Sequence, residues 1–199
     1  MHGMINRALQ CFLRDTYGVQ TWAEIADAAD LGFENFEAML GYPDSVTLDV
    51  LSATARYFRK PVESILEDLG TYLVSHPNVE PIRRLLRFGG GDFTEFLFSL
   101  NELQGRARMA LPDLEMPELT VELDGEAVYL MTCSHDVPGF GYVMVGVLRA
   151  MADDYGALVF LEHQGWKDAG EEVIHVHLLE AAFAQGRSFD LVAPEGFVT

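Results

Sequence analysis

The chain has 199 residues, 49 % hydrophobic and 11 % aromatic, which suffices for a sizeable core and excludes a disordered chain. Its 31 Asp and Glu against 13 Lys and Arg give a net charge of −18, the wrong sign for non-specific binding to nucleic acid or an anionic membrane. No apolar run reaches the ~18 residues of a membrane span, no leader pattern opens the chain, and Cys11 and Cys133 lie far apart, so a cytoplasmic protein with two reduced thiols is expected.

The first half reads as helices. MINRALQCFLRDTYG puts Ile5, Leu9, Phe12 and Leu13 on one face and stops at Gly18, a C-cap residue. TWAEIADAADLG opens with Thr21 and Glu24 at capping-box spacing. FENFEAMLGYP reads as a short helix ended by Gly41 and Pro43. TLDVLSATARYFRK and PVESILEDLGTYLVSH follow, with Pro61 suited to the first turn of the latter. RRLLRFGGGDFTEFLFSLNELQGRAR reads as a helix pair broken at Gly89–Gly91.

Past LPDLEMPEL the period changes. LTVELDGEAVYLMTCS alternates around Asp124-Gly125, the signal of a two-residue hairpin. GYVMVGVLRAMADDYG is helical again, and ALVFLEHQGWKDAGEEVIHVHLLE is a second hairpin turning near Asp168–Gly170. The expected organisation is α+β: a helical part over residues 1–110, an α+β part over 111–180, and a tail from 181 to 199.

In the helix pair, Phe93, Phe96, Leu97, Leu100, Gln104 and Ala107 share one stripe at i, i+3, i+4, i+7 spacing. A buried amide left without partners costs about 1–3 kcal/mol, so Gln104 must be bonded, solvated, or standing where another side chain has a function.

Several strings taken in order resemble the haem–nitric oxide/oxygen binding (H-NOX) family, the sensor fold also found in soluble guanylate cyclase. They are MHGMINRALQCFLRDTYG, YPD with Thr47 and Leu51 following, ILEDLGTYLV, and GDFTEFLFSLNEL before the Pro-rich segment. The later order of hairpin, helix with Gly146, and hairpin matches too, and the resemblance spans roughly residues 1–180. It implies a haem held by a proximal histidine, by a Tyr-x-Ser-x-Arg motif on its propionates, and by a proline packed against the porphyrin.

Placed on this chain, the histidine position holds Gln104, while Pro117 keeps the proline's place thirteen residues on. Counting back from Gly139 and Gly146, the propionate motif falls on Cys133, His135 and Val137. A shift by one residue offers Thr132, Ser134 and Asp136 instead, and neither register supplies an arginine. The resemblance therefore implies a stand-alone sensor module from which haem is absent in the family manner. Its partner, by analogy, is a histidine kinase or a cyclic-di-GMP synthase or phosphodiesterase.

Two other readings stand beside it. One is a haem gas sensor with Cys133 or His135 as substitute axial ligand; the other is a sensor of an apolar small molecule, of zinc or of redox state. His163 and His175 are weak zinc candidates because they lack accompanying thiolates. No nucleophile–base order, phosphate loop or paired-carboxylate spacing points to an enzyme.

Overall fold

The computed structural model describes residues 1–110, 112–167 and 170–187; Asp168 of the second expected turn and most of the 181–199 tail lie outside them. The first helix, α1 (Gly3–Tyr17), is capped by His2, whose Nδ1 accepts the Met4 N–H at 3.2 Å, and ends at Gly18 with φ 95°. The second, α2 (Val19–Ala28), begins directly after that glycine and not at the expected capping box. Thr21 lies inside the helix, where its hydroxyl donates to the Tyr17 carbonyl at 2.9 Å.

The helix expected over FENFEAMLGYP does not form. Tertiary bonds hold this stretch irregular: Gln10 Oε1 accepts the Phe36 N–H at 3.0 Å, and the Trp22 indole donates to the Glu34 carbonyl at 2.9 Å. These bonds take backbone groups that a local helix would need. Two longer helices follow, α3 (Asp44–Phe58) and α4 (Val62–Ser75), with Pro43 and Pro61 as their N-caps. Pro61 thus stands just outside the first turn, with ψ of 147°. Leu9, Phe12, Leu13, Trp22, Ile25, Val50, Ile65 and Leu69 close a core among α1–α4.

A second core joins α5 (Glu80–Arg87), α6 (Phe93–Ser99), α7 (Leu103–Ala110) and α8 (Phe140–Tyr155) to one face of a sheet. Its strands are β1 (Glu118–Leu123), β2 (Val128–Ser134), β3 (Leu158–Lys167) and β4 (Glu171–Glu180), antiparallel throughout in the order β1-β2-β4-β3. Residues 124–127 connect β1 to β2, a longer turn than Asp124-Gly125 predicts, closed by the Asp124 N–H on the Val128 carbonyl at 2.8 Å. Alternation places Leu119, Val121, Tyr129, Met131, Ile174 and Val176 on the covered face.

The two halves meet where α4 crosses α8. A Cβ on Gly70 would collide with the Val143 carbonyl, and one on Gly146 with the Glu67 carbonyl, so only glycine permits this backbone approach. At the other end of α8, the carboxylate of Asp154 is 1 % exposed and anchors α5. Arg83 Nε donates to its Oδ1 at 2.9 Å, and Arg87 lies 3.9 Å above the Tyr155 ring. Asp154→Ala would remove the buried carboxylate that ties α5 to α8 while leaving Arg83 its bond to Glu80 at 3.2 Å, and should cost about 1–3 kcal/mol. Urea unfolding should show that loss as a lower midpoint at unchanged slope.

Within the second core, Phe93, Phe96, Leu97 and Leu100 are buried as the stripe predicts. At Leu100–Glu102, however, the chain tightens into a 3-10 turn before α7. Side chains three apart eclipse in that geometry, so Leu103 stacks in line with Leu100 and is buried, whereas Gln104 swings to a half-buried position.

Candidate functional site

Gln104 turns toward a cleft of about 370 Å³ where the helical part meets the end of the sheet. Its Nε2 donates to the Met116 carbonyl at 2.9 Å, which answers the question of its partner. The far wall is the segment leaving β2, with Ser134, His135, Asp136 and Val137; Met1 and Asp44 close one side, and Glu115, Glu118 and Gly170 complete the rim. Positions 104, 135 and 137, separate in sequence, thus converge on one cavity.

Strand register builds the floor. Glu118, Ser134 and Glu171 are partners across β1, β2 and β4, so the last row of the sheet ends in two carboxylates flanking a hydroxyl. Among the described residues, Asp44, Glu115, Glu118 and Asp136 put four carboxylates on the cleft, and no lysine or arginine lines it. The Met1 amine donates to the Tyr42 carbonyl at 2.8 Å and to the Asp44 carboxylate.

The other sequence candidates fall differently. Pro117 is buried immediately before β1 and is not among the lining residues. Cys133 points into the core, 1 % exposed; burial, then the Glu172 charge, pushes its thiol up to about 12. It is therefore a protonated thiol at neutral pH and faces away from the cleft. His135 lines the cleft, lies against Phe140 with ring centres 4.4 Å apart and planes tilted by 52°, and accepts the Val137 N–H on Nδ1 at 2.9 Å. That bond goes with a neutral ring protonated on Nε2, and the Val137 carbonyl 3.3 Å from Nδ1 goes with the other tautomer.

The zinc candidates occupy opposite faces of the sheet. His163 pairs with Ile174 on the covered face, and His175 pairs with Leu130 and Glu162 on the other. Among the described residues, no group of three or more His, Cys, Asp or Glu is arranged to hold a metal ion.

His163 has a structural role that the sequence reading missed. Behind the cleft, Glu172 is 1 % exposed, and its Oε2 accepts the N–H groups of Gly139 at 3.0 Å and Gly141 at 2.9 Å. Its Oε1 lies 3.2 Å from His163 Nε2, while His163 Nδ1 accepts the Gly165 N–H at 3.0 Å, so Nε2 carries the proton and donates. The imidazole stacks on Tyr142 at 3.8 Å, and a Cβ on Gly141 would press into it at 2.5 Å. Burial raises the Glu172 carboxyl, but the bonds from His163, Gly141 and Gly139 outweigh it and hold it below its ordinary range. This carboxylate pins the first turn of α8, and with it the 134–139 segment, to the sheet.

Comparison with known proteins follows the same outline. The sequence matches the Haem-NO-binding family, HNOB, over residues 2–163. It is 22 % identical over 160 residues to soluble guanylate cyclase 89Db of Drosophila melanogaster, covering 79 % of this chain and 24 % of that protein. Against soluble guanylate cyclase gcy-31 of Caenorhabditis elegans it is 20 % identical over 154 residues, covering 77 % and 22 %. The chain thus spans about a quarter of the length of these curated relatives.

Among solved structures, the fold matches an H-NOX protein from K. algicida in its unliganded Fe(II) form, with TM-score 0.76 at 17 % identity, covering 93 % of this chain and all of that one. It matches an H-NOX protein from S. oneidensis in the Fe(II)NO state with TM-score 0.74 at 16 % identity, covering 90 % and 100 %. The helical part and four-stranded antiparallel sheet are the fold of those structures, and with 162 of its residues matched, the chain belongs to the Haem-NO-binding, or H-NOX, family.

Proposed function

We propose that this chain is a haem-independent H-NOX signalling module, which passes a change in its cleft to a partner signalling protein. The observation that carries this is the convergence of Gln104 and Val137 on one cleft lined, among the described residues, by four carboxylates and no arginine. A haem held in the family manner needs an imidazole toward iron and cations toward its two propionates. Here the amide of Gln104 is spent on the Met116 carbonyl, and the propionates would meet Asp44, Glu115, Glu118 and Asp136. The residues present do not fit the group.

Substitute ligation finds little support in the same geometry. Cys133 is off the cleft with a protonated thiol, and His135, though it lines the cleft, has Nδ1 engaged by the Val137 backbone and no second His or Cys beside it among the described lining residues. The chain itself acts as a sensor rather than a catalyst. Its partner is a signalling enzyme, as the cyclase names of its longer relatives suggest and as kinases or cyclic-di-GMP enzymes would equally provide.

The test is haem titration of the purified protein, followed by absorbance. No saturable Soret band is expected from the wild type. A stoichiometric band would overturn the reading, and its shift in Cys133→Ala or His135→Ala would then identify the substitute ligand.

A further inference from the structure

The cleft does not end at its rim. Met1, which lines it and binds Asp44 there, also belongs to a short pairing of the chain's first residues with residues 40–42. In that pairing the Gly3 N–H donates to the Leu40 carbonyl at 2.7 Å, the Tyr42 N–H donates to the Met1 carbonyl at 3.0 Å, and His2 bridges Gly41. The pairing holds up an apolar shoulder beside the acidic cavity: Met39 and Leu40 are 69 % and 55 % exposed. Met4, in the first turn of α1, and Leu48, one turn beyond Asp44 on α3, are also exposed. Exposed methionines are adaptable contact residues, fitted to partners whose anchor side chains vary.

We infer that the cleft and this shoulder together form the docking site for a basic amphipathic segment of a partner protein. Its apolar side chains would rest on Met39 and Leu40, and its Lys or Arg side chains would enter the cleft. The inference rests on the haem-independent reading, because a haem in the cleft would exclude such a segment.

Charge selects this occupant. Among the described residues no ion pair reaches Glu115, Glu118 or Asp136, and the one cation on the wall, the Met1 amine, is already held by Asp44. Like charges gathered in one cavity repel, and an incoming cation relieves that repulsion. A second copy of a chain of net charge −18 brings the same sign, as do nucleic acid and an anionic membrane. The apolar shoulder in turn favours an amphipathic segment over a bare polycation, which would leave Met39 and Leu40 in water.

The test is fluorescence anisotropy with a labelled synthetic peptide carrying Lys on one helical face and Leu on the other. A scrambled peptide of the same composition and spermine serve as comparisons. The amphipathic peptide should bind saturably and more weakly as salt rises. Glu118→Gln with Asp136→Asn, and separately Met39→Ser with Leu40→Ser, should each weaken it by about tenfold.

Asp124→Asn with Glu126→Gln makes the same charge change in the β1–β2 turn, at the opposite end of β1 and β2 from the cleft, and should leave the affinity unchanged. Circular dichroism checks that all three variants are folded. Equal binding of the scrambled peptide, equal loss in the turn variant, or no saturable binding overturns the docking site. Haem absorbance on the same preparation separates the two readings: no Soret band and no peptide binding removes docking alone, whereas a stoichiometric Soret band removes the haem-independent reading beneath it.

Discussion

Glu172→Ala is expected to lower stability by about 3–5 kcal/mol, because it orphans three buried donors at roughly 1–3 kcal/mol each with partial relaxation. The donors are the N–H groups of Gly139 and Gly141 and the Nε2–H of His163. Glu172→Gln should cost less. Its oxygen can still accept from the two glycines, but its amide then faces the imidazole N–H, donor against donor, and His163 cannot reverse its tautomer while Nδ1 accepts from Gly165.

The pH dependence has a definite sign. The folded carboxyl lies below its ordinary value, so its contribution is complete above the unfolded pKa of about 4.3 and is lost as pH falls through the folded one. The stability gap between wild type and Glu172→Gln should therefore be flat near neutrality and shrink in acid. Urea unfolding across that range reads both effects. Hydrogen exchange at Gly139 and Gly141 should accelerate in both variants, since the first turn of α8 is the element released.

How much of this was legible in the sequence follows from how local each cause is. The stripe of Phe93, Phe96, Leu97 and Leu100 needed only helical period, and all four are buried. The same period carried Gln104 onto that face wrongly. A 3-10 turn at 100–102 restarts the count at Leu103, and no residue type in LNE announces it.

The segment around Phe36 looked helical because its neighbours do. Its conformation is set by Gln10 and Trp22, side chains at least a dozen residues away, and no local pattern carries that. The longer turn between β1 and β2 shows the same limit on a smaller scale, since Asp124-Gly125 marks a turn without fixing its length.

At the site, the resemblance supplied positions 104, 135 and 137, and the cleft brings those three together. Sequence alone did not find Asp44, Glu115 and Glu118 there, because they arrive from α3, the Pro-rich segment and β1. Glu172 was closer to hand. Period 2 places it on the same strand face as Ile174 and Val176, and a carboxylate in that company must be bonded. Its partners, His163 and the glycines before α8, become visible only once β3 and β4 pair.

Gln104→His should bind haem no better than the wild type. Removing the amide loses one hydrogen bond to Met116, worth about 0.5–1.5 kcal/mol, so the variant should remain folded and its failure will not be a folding artefact. The imidazole would restore a ligand on one side of the cleft and change nothing on the other. Two propionates entering there face Glu115, Glu118 and Asp136, each charge pair at 4 Å repelling by about 1 kcal/mol even in bulk water, while Asp44 is already paired with the Met1 amine. Val137 offers no guanidinium in return.

The competing terms can be separated by adding changes in order. Val137→Arg on the Gln104→His background supplies one bidentate donor against an unchanged ring of acids, and should raise haem affinity only slightly. Glu118→Gln and Asp136→Asn added to that pair remove two of the unpaired carboxylates, and the Soret band should first appear at this step. A full Soret band in Gln104→His alone would mean that the cavity still accepts porphyrin and that only its iron ligand has changed. The carboxylates would then be bystanders, and the charge argument against haem would fall, leaving Gln104 alone to keep the wild type free of haem.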